Sequence, residues 1–403
     1  MTHQAALLLA FAACSGTPSA DKADGPAAGD DSGLDTASGD DTAAAPVEGC
    51  HATPAPADRE RLVVVSFPYD DDANPVNRWS SYRLSPEGRL SEAEGDVEMG
   101  RAWIGAATFT PDAAFGYVVQ DDGSVGVFAD KGDHIEVVDP AWDQGLYASG
   151  LAMHPSGERI YLIDGNWPNN GGGLYVSAID CDSGALSAPT LLVASKLPAR
   201  LVLRGEEGLL ASLDVPGGAA GDDLALLDLS TEPPAWRAGL DAFGDDDTVI
   251  ADLVALGGHA VLSDNAFFFD HPTRMSVVAW GEGSLERKQN IDVEDPITLV
   301  PSPFGDQLLV ISGFGDAIYR YAYEADAAEP LTSLGALSTT ERPAVPGAAA
   351  WVSRGALRGL VLVSEAEGLR TVMLGEGATA EDLGRVAMGS GLSALPGAVG
   401  IAP

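Results

Sequence analysis

One phrase recurs along this chain with variations: an apolar strand, a turn, a second apolar strand, an acidic loop and a third strand. The clearest copies are GAATFTPDAAFGYVVQDDGSVGVFAD, residues 105–130, and GLAMHPSGERIYLIDGN, residues 150–166. Self-similarity at roughly 40 to 50 residues is typical of a β-propeller, in which each repeat is a small sheet that buries its faces only against its neighbours. The repeat therefore predicts an all-β propeller, and it says much less about function.

The number of blades follows from how the two ends of the chain match. Seven segments fit the inner strand of a four-stranded blade, and they lie near Phe109, Met153, Val202, Leu253, Leu299, Trp351 and Val399. No second strand follows the segment near Val399, whereas RLVVVSF at Arg61 is a second strand without a first. Pairing these two segments would close the ring and remove exposed strand edges. We therefore predict a seven-bladed propeller over residues 59–403, closed by the C-terminal strand, and no α-helix.

The chain opens with a short apolar run, Ala5 to Ala13, that ends in small residues before Cys14. Such a run is too short to span a bilayer. Residues 1–13 resemble a bacterial lipoprotein signal peptide, although no Lys or Arg precedes the run and Phe11 stands where that family usually has Leu. The resemblance implies lipidation of Cys14 and a cell-envelope location, in the outer membrane of a Gram-negative bacterium, on its periplasmic or surface side. An ordinary secretion signal and a cytoplasmic chain are the alternatives.

Residues 14–58 are dominated by Ala, Gly, Ser, Thr, Pro and Asp, with no Phe, Trp or Tyr. This composition offers too little apolar surface to offset the entropy of ordering, so it predicts a disordered, extended acidic tether. The cysteines Cys50 and Cys181 are predicted to form a disulfide in an oxidising compartment, and two unrelated thiols are the alternative. Cys181 follows a third strand, which places this disulfide on the face opposite the expected ligand face.

The formal net charge of −38 limits the possible partners. So acidic a surface repels nucleic acid phosphates and anionic lipid headgroups, so we expect no nucleic acid partner and no membrane contact except through the lipid anchor. The charge favours solubility, and it would also attract cations. We expect a monomer whose ligand is a protein or a small molecule.

The phrases FTPDAAFGYVV and MHPSGERIYLIDGN resemble the repeat signature of lactonase-like and YncE-like seven-bladed propellers. The resemblance implies the same fold for the whole region from Arg61 onward. That family includes sugar-lactone hydrolases and many extracytoplasmic proteins of no proven activity, so it implies a reaction far less firmly than a fold. The His and Arg residues of the family's catalytic clefts have no residue-by-residue match in this chain.

In a propeller, the loops from the second to the third strand and from the outer to the next inner strand emerge on one face, where ligands usually bind. Acidic and amide side chains follow the second strands at this face: Asp70, Asp121, Asp164, Asn166, Asp214, Asp264, Asn265 and Glu365. Carboxylates gathered at the mouth of one channel would share protons or recruit a hard cation such as Ca²⁺. Alternatively, these residues stand there because Asp and Asn bond to the backbone of turns. A third interpretation makes them catalytic acids.

The same loops carry aromatic residues, Tyr69, Trp167, Phe268 and Phe314, which are either a ligand platform or a small cluster that packs the loops. His271 is the histidine that strand order places on this face, and it is the candidate general base. No serine or cysteine near it forms a recognisable nucleophile arrangement. The chain contains no HExxH, P-loop, GxSxG or dinucleotide-binding motif.

Two classes of function fit these observations. The first is a non-enzymatic, lipid-anchored binding or scaffold module that uses its acidic loop face. The alternative is a lactonase-like hydrolase that uses the carboxylates, with or without a divalent cation. A structural protein stabilised by a bound cation is a third possibility.

Overall fold

The computed structural model describes residues 48–67, 78–99, 107–120, 122–165, 172–214, 218–219, 221–244, 248–265, 272–313, 315–366, 368–388 and 398–403. Over these residues the chain forms 28 β-strands, numbered β1 to β28 in chain order, and no α-helix. The described ranges accordingly contain no helix that is long and apolar enough to cross a bilayer. The signal-like segment, Cys14 and most of the predicted tether lie outside the described residues.

The strands form seven four-stranded sheets, which are the blades of a propeller. The inner strands, from blade 1 to blade 7, are Val399–Ile401 (β28), Ala107–Phe109 (β4), Ala148–Met153 (β8), Lys196–Arg204 (β12), Ile250–Leu256 (β16), Pro296–Pro301 (β20) and Ala349–Trp351 (β24). The second strands are Arg61–Phe67 (β1), Phe115–Val119 (β5), Arg159–Asp164 (β9), Glu207–Asp214 (β13), His259–Asp264 (β17), Gln307–Ser312 (β21) and Leu360–Glu365 (β25).

The third strands are Arg78–Leu84 (β2), Val125–Asp130 (β6), Gly173–Ala178 (β10), Leu224–Asp228 (β14), Arg274–Gly281 (β18), Ala317–Tyr323 (β22) and Gly368–Gly375 (β26). The outer strands are Leu90–Glu98 (β3), Ile135–Trp142 (β7), Thr190–Ala194 (β11), Ala235–Leu240 (β15), Ser284–Asp292 (β19), Leu331–Ala336 (β23) and Thr379–Ala387 (β27). Every neighbouring pair within a blade is antiparallel, so all second strands end at the same face. We call this face, where β9 ends at Asp164 and β16 begins at Ile250, the loop face.

The ring closes between the two ends of the folded region, as the sequence predicts. Strand β28 pairs antiparallel with β1, with Val63 opposite Ile401 and Val65 opposite Val399. Beyond the strands, the Arg61 guanidinium donates a hydrogen bond to the Ala402 carbonyl at 3.1 Å. The predicted seven-bladed fold and its closure by the C-terminal strand are confirmed.

Seven apolar clusters hold the disc together, and one lies between each pair of adjacent blades. Alternate residues of a second strand contribute to the clusters on its two sides. In β1, Val64 packs with Phe109 of blade 2, whereas Val63 packs with Leu362 of blade 7. Because both faces of such a strand are buried, it is apolar at nearly every position instead of alternating. Each fully buried Val or Leu contributes about 1.5–3 kcal/mol relative to exposure.

The repeated turn of the sequence connects inner to second strands on the face opposite the loop face. The turn has proline at its second position, and the residue at its fourth position has a left-handed backbone conformation. This residue is Ala113, with φ of 63°, in blade 2 and Gly157, with φ of 69°, in blade 3. Glycine adopts this region without strain, which explains its place in the motif. The same turn occurs in blade 6, where Gly305 has φ of 72° and its amide bonds to the Ser302 carbonyl.

Residues 48–58, which the sequence assigns to the end of the tether, lie against this second face. A disulfide joins Cys50 to Cys181, with Cα atoms 5.9 Å apart. The amide of Ala55 bonds to the Pro111 carbonyl at 3.0 Å, and Asp58 accepts a hydrogen bond from the Ala356 amide at 2.8 Å. We call residues 48–58 the strap and this side of the disc the strap face. Ordered contacts thus begin before the propeller boundary that composition suggests.

Candidate functional site

Most of the residues singled out on the loop face lie outside the described residues. They are Tyr69, Asp70, Asp121, Asn166, Trp167, Phe268, His271 and Phe314. Asp214 ends β13, and only its backbone is described. The roles predicted for these residues, a Ca²⁺ site among them, stay predictions. The structure does place Asp164, Asp264, Asn265 and Glu365.

The three described carboxylates perform the same task in three different blades. Asp164, Asp264 and Glu365 each end a second strand and are almost completely buried. Each accepts a backbone N–H from the loop that precedes the inner strand of its own blade. The donors are Tyr147 at 3.0 Å for Asp164, Val249 at 3.0 Å for Asp264 and Ala344 at 3.4 Å for Glu365. This shared contact accounts for the recurrence of these acids at the ends of second strands, here in every second blade.

These carboxylates do not come together around one ion. They belong to blades 3, 5 and 7 of the ring. Over the described residues, the one group of three side chains with metal-binding atoms in close proximity is Cys50, Glu158 and Cys181, in which the two cysteines form the disulfide. Asn265 meets the Val249 carbonyl through its backbone amide, at 2.9 Å. For the described carboxylates, the geometry favours the turn interpretation over a shared cation.

In blade 7 the carboxylate belongs to a buried ionic network. Arg370, which is fully buried, pairs with Glu365 and donates from Nη1 to both oxygens of Asp382 at 2.9 Å. Burial opposes the charge of Arg370, but the two carboxylates outweigh it and raise the pKa of the guanidinium. Asp382 in turn accepts the Thr340 amide at 2.8 Å, which fixes the loop between blades 6 and 7. The network therefore positions a loop, as Asp164 does in blade 3 and as Asp264, which also pairs with Arg274 at 3.2 Å, does in blade 5.

Asp223, which the sequence did not single out, does the same between blades 4 and 5. Its carboxylate accepts the Thr248 hydroxyl at 2.9 Å and the Ala242 amide at 3.1 Å. Burial raises the pKa of Asp223 to about 7, against the lowering effect of these hydrogen bonds. This acid therefore titrates near neutral pH and could exchange a proton there.

A polar pair also lines the central channel. Arg200 lies on inner strand β12 and Asp252 on inner strand β16, with Nε of Arg200 3.4 Å from Oδ1 of Asp252. The other carboxylate oxygen accepts the Leu299 amide of inner strand β20 at 2.8 Å. One edge of strand β20 pairs with β21, and the other edge faces the channel. The Leu299 amide bonds to Asp252 and not to β21, so it points toward the channel. Asp252 thus connects three consecutive blades from within the channel.

A β-bulge that recurs in several inner strands determines where this pair lies along the channel axis. In blades 3 to 6 the pairing of inner and second strands shifts near the start of the inner strand, at the loop face. Arg200 and Asp252 follow directly after the shifts in their own strands. Such bulges redirect side chains and are common beside functional sites. The pair therefore lies just inside the channel mouth at the loop face.

The electrostatics of the pair are suited to proton transfer. Burial raises the pKa of the Asp252 carboxyl, and Arg200 and two backbone amides act in the opposite direction. The side chains of Arg200 and Asp252 retain 26% and 16% exposure, so solvent reaches both. In such a pair, the carboxylate can accept a proton and the guanidinium can stabilise a developing negative charge. Sequence reasoning missed this pair, and the available signal was an Asp within an otherwise apolar inner strand.

No family model and no curated protein sequence matches the chain. Solved structures match it in fold. A Bacteroides fragilis protein, provisionally assigned as a 6-phosphogluconolactonase, has a TM-score of 0.62 at 13% identity over 87% of this chain and 100% of its own. The periplasmic gluconolactonase PpgL of Pseudomonas aeruginosa has a TM-score of 0.62 at 14% identity over 85% of this chain and 99% of its own.

A Lactobacillus plantarum protein has a TM-score of 0.63 at 12% identity, over 85% of this chain and 99% of its own. The structural neighbours of the chain thus include lactonase-like proteins. At these identities the similarity establishes the fold, and the residues of the chain itself must carry any argument about function.

Proposed function

We propose that this protein is a lactonase-like hydrolase that opens a lactone ring in the mouth of its central channel. The observation that carries the proposal is the Arg200–Asp252 pair, which lies inside the channel of a propeller whose neighbours include proteins named as lactonases. Propellers usually bind ligands where the loops surround the channel mouth. Among the described residues at this mouth, Arg200 and Asp252 have side chains that could hydrolyse an ester.

The proposed reaction assigns one role to each residue. Asp252 takes a proton from a water molecule whose oxygen attacks the lactone carbonyl, and Arg200 stabilises the oxyanion that forms. The ring C–O bond then breaks, and the proton returns to the departing alkoxide. The product is the open-chain hydroxy acid. The raised pKa of Asp252 favours its role as the base, because a general base works best when its pKa is close to the working pH.

We further propose that the enzyme works outside the cytoplasm, on a lipid anchor at Cys14. The disulfide supports this location, because such bonds persist in oxidising compartments. The strap begins on the face opposite the channel mouth, so a tether leaving from it would point the loop face away from the membrane.

A non-enzymatic binding module is the second candidate. It is favoured by the loop-face acids, since Asp164, Asp264, Glu365 and Asp223 all serve to fix loops. Rigidly positioned loops around a channel form a ready-made surface for a small molecule or a protein. On this alternative, Asp252 connects blades and has no chemical role.

Hydrolysis of a panel of sugar and aliphatic lactones, with Ca²⁺ or with a chelator, separates the two candidates. We expect turnover to fall by roughly 10²–10⁴-fold in Asp252→Asn, and by roughly 10²–10³-fold in Arg200→Gln. Arg204→Gln is the matched control, because Arg204 lies at the opposite end of the same strand and contacts Glu207 and Trp280. Asp264→Asn controls for loss of stability outside the channel.

Wild-type protein without turnover on any lactone would exclude the hydrolase and leave the binding module. Equal activity in wild type and Asp252→Asn would remove Asp252 from the reaction, whatever the substrate.

A further inference from the structure

Three arginines on the strap face present buried N–H groups that have no acceptor in the part of the chain that the structure describes. They are Nε and Nη2 of Arg59, Nε of Arg83 and Nη2 of Arg354. A buried donor without a partner costs about 1–3 kcal/mol, and more when it is charged. All four unpaired groups are donors, so the partner that would satisfy them must be an acceptor.

These arginines lie together at the seam where the ring closes. Arg83 donates to both oxygens of Asp130, at 2.7 and 3.1 Å, and Nη1 of Arg59 lies 4.0 Å from the same carboxylate. Arg61 bonds to the Arg354 carbonyl at 3.1 Å, which brings blade 7 to the strap. The seam therefore gathers groups from blades 1, 2 and 7.

Four arginines, Arg59, Arg61, Arg83 and Arg354, face three carboxylates, Asp130, Asp58 and Asp112, so positive charge exceeds negative charge by one. Asp130 is the carboxylate shared by Arg83 and Arg59, whereas the described hydrogen bonds of Arg61 go to three carbonyl oxygens. Burial lowers the pKa of both Arg59 and Arg61, and neighbouring arginines lower it further. Such an excess is unusual in a protein of net charge −38. An anion would relieve both the unpaired donors and the mutual repulsion.

The unpaired atoms of Arg59 also indicate the shape of that anion. Nε–H and Nη2–H point from the same edge of a guanidinium, and this edge binds two oxygens of a carboxylate, phosphate or sulfate side by side. A single-atom ion such as chloride cannot accept both bonds with the same geometry. The Arg59 side chain is 25% exposed, which gives a small ion a route from the surface.

We propose that Arg59, Arg83 and Arg354 form a binding site for a small oxyanion, held in a bidentate manner by the Nε–Nη2 edge of Arg59. The site lies on the face opposite the channel mouth and does not depend on the proposed hydrolysis. Its occupant connects the strap to the blades on both sides of the closure. Binding therefore stabilises the closed ring.

Thermal unfolding of the purified protein tests the site. Sodium phosphate, sodium sulfate and sodium acetate are titrated separately at low millimolar concentration, against sodium chloride at the same ionic strength. We expect a saturable rise in melting temperature of about 2–4 °C that chloride does not produce. A response to acetate alone identifies a carboxylate site, and a response to phosphate and sulfate identifies a tetrahedral oxyanion site.

Two conservative variants separate this site from general salt effects, which also stabilise folded proteins. Arg59→Lys keeps the charge and removes the fork, so the rise should disappear. Arg358→Lys is the matched control on the same face, because Arg358 is exposed and bonds to the Pro303 carbonyl, and it should keep the rise. If Arg59→Lys does not fold, Arg354→Lys and calorimetric titration of wild type replace it.

A rise that is equal for chloride, that fails to saturate, or that persists unchanged in Arg59→Lys or its replacement would overturn the proposal.

Discussion

The two faces of the disc treat charged groups in opposite ways. On the loop face, buried carboxylates such as Asp164 and Asp264 each receive a backbone N–H, and Glu365 is also paired with Arg370. On the strap face, half-buried Arg59 and Arg354 keep buried N–H donors that have no acceptor among the described residues. The difference shows that a high frequency of acidic residues does not indicate where side chains remain available to bind a ligand. The described acids Asp164, Asp264 and Glu365 form hydrogen bonds within the fold, whereas the described arginines of the strap face keep unpaired donors.

The largest test of this comparison removes the attachment of the strap. Cys50 and Cys181 are 131 residues apart in sequence, and in the chain-entropy model a loop of that length stabilises the folded state by up to about 5 kcal/mol. We expect the double variant Cys50→Ser/Cys181→Ser to lose most of this, measured as the free energy of unfolding in urea. Added reductant should lower wild-type stability by a similar amount and leave the double variant unchanged.

If the double variant were as stable as wild type, the strap would contribute little to the closure. The contacts of the strap face would then not stabilise the fold, and the difference between the two faces would have no consequence for stability.

The second test acts on the loop face, through Arg370. Arg370→Met leaves Glu365 and Asp382 buried without their shared cation, and breaking such a pair costs about 3–5 kcal/mol. We expect a loss of about 4 kcal/mol in urea unfolding. Arg358→Met, which removes an exposed arginine, should cost well under 1 kcal/mol.

A small loss in Arg370→Met would mean that water or another group replaces the guanidinium. The triple variant Arg370→Met/Glu365→Gln/Asp382→Asn sharpens the result, because it should recover part of the lost stability by removing the unpaired charges.

The third test is the pH dependence that Asp223 should produce. Its pKa is about 7 in the folded protein against 3.8 when unperturbed. Between these values the folded state holds a proton that the unfolded chain has released, so stability falls as the pH rises through this window. The contribution is complete below about pH 4, is lost above about pH 7, and amounts to at most about 4 kcal/mol.

Asp223→Asn should flatten this slope in urea unfolding measured at several pH values. Asp228→Asn is the matched control at the other end of the same strand. Hydrogen bonds from Ser230 and Arg237 lower the pKa of Asp228 to about 2, outside the window. An unchanged slope in Asp223→Asn would assign the pH dependence to other groups.

Buried strands could be predicted from the sequence, whereas exposed strands could not. Inner, second and third strands are continuous or alternating apolar runs because they pack between blades. Outer strands such as β19 are largely exposed, so their sequences carry no such pattern. The fold was therefore predictable from three strands per blade and from the matching of Arg61 with Val399.

The site was less predictable, because its contacts join residues far apart in the chain. Asp164, Asp264 and Glu365 could be placed at the correct face from their position after second strands, but their donors could not be named. Asp252 was hidden in an apolar run, and its partners Arg200 and Leu299 lie 52 and 47 residues away. Only the register of three blades brings them together in the channel.

The smallest expected effect concerns Asp164 on the loop face, with Asp264 as the comparison. Asp164→Asn keeps an acceptor oxygen but removes the charge that strengthens the bond from Tyr147, so it should cost about 1–2 kcal/mol. Asp264→Asn also removes the charge that faces Arg274 at 3.2 Å, so it should cost more, about 3–5 kcal/mol. If these acids serve the fold alone, the cost measured by thermal or urea unfolding is the same with Ca²⁺ and with chelator. A cost that appears only with Ca²⁺ would show that they bind the ion together with residues 70, 121, 166 or 214. The contrast between the faces would then break, because carboxylates of the loop face outside the channel would also bind a ligand.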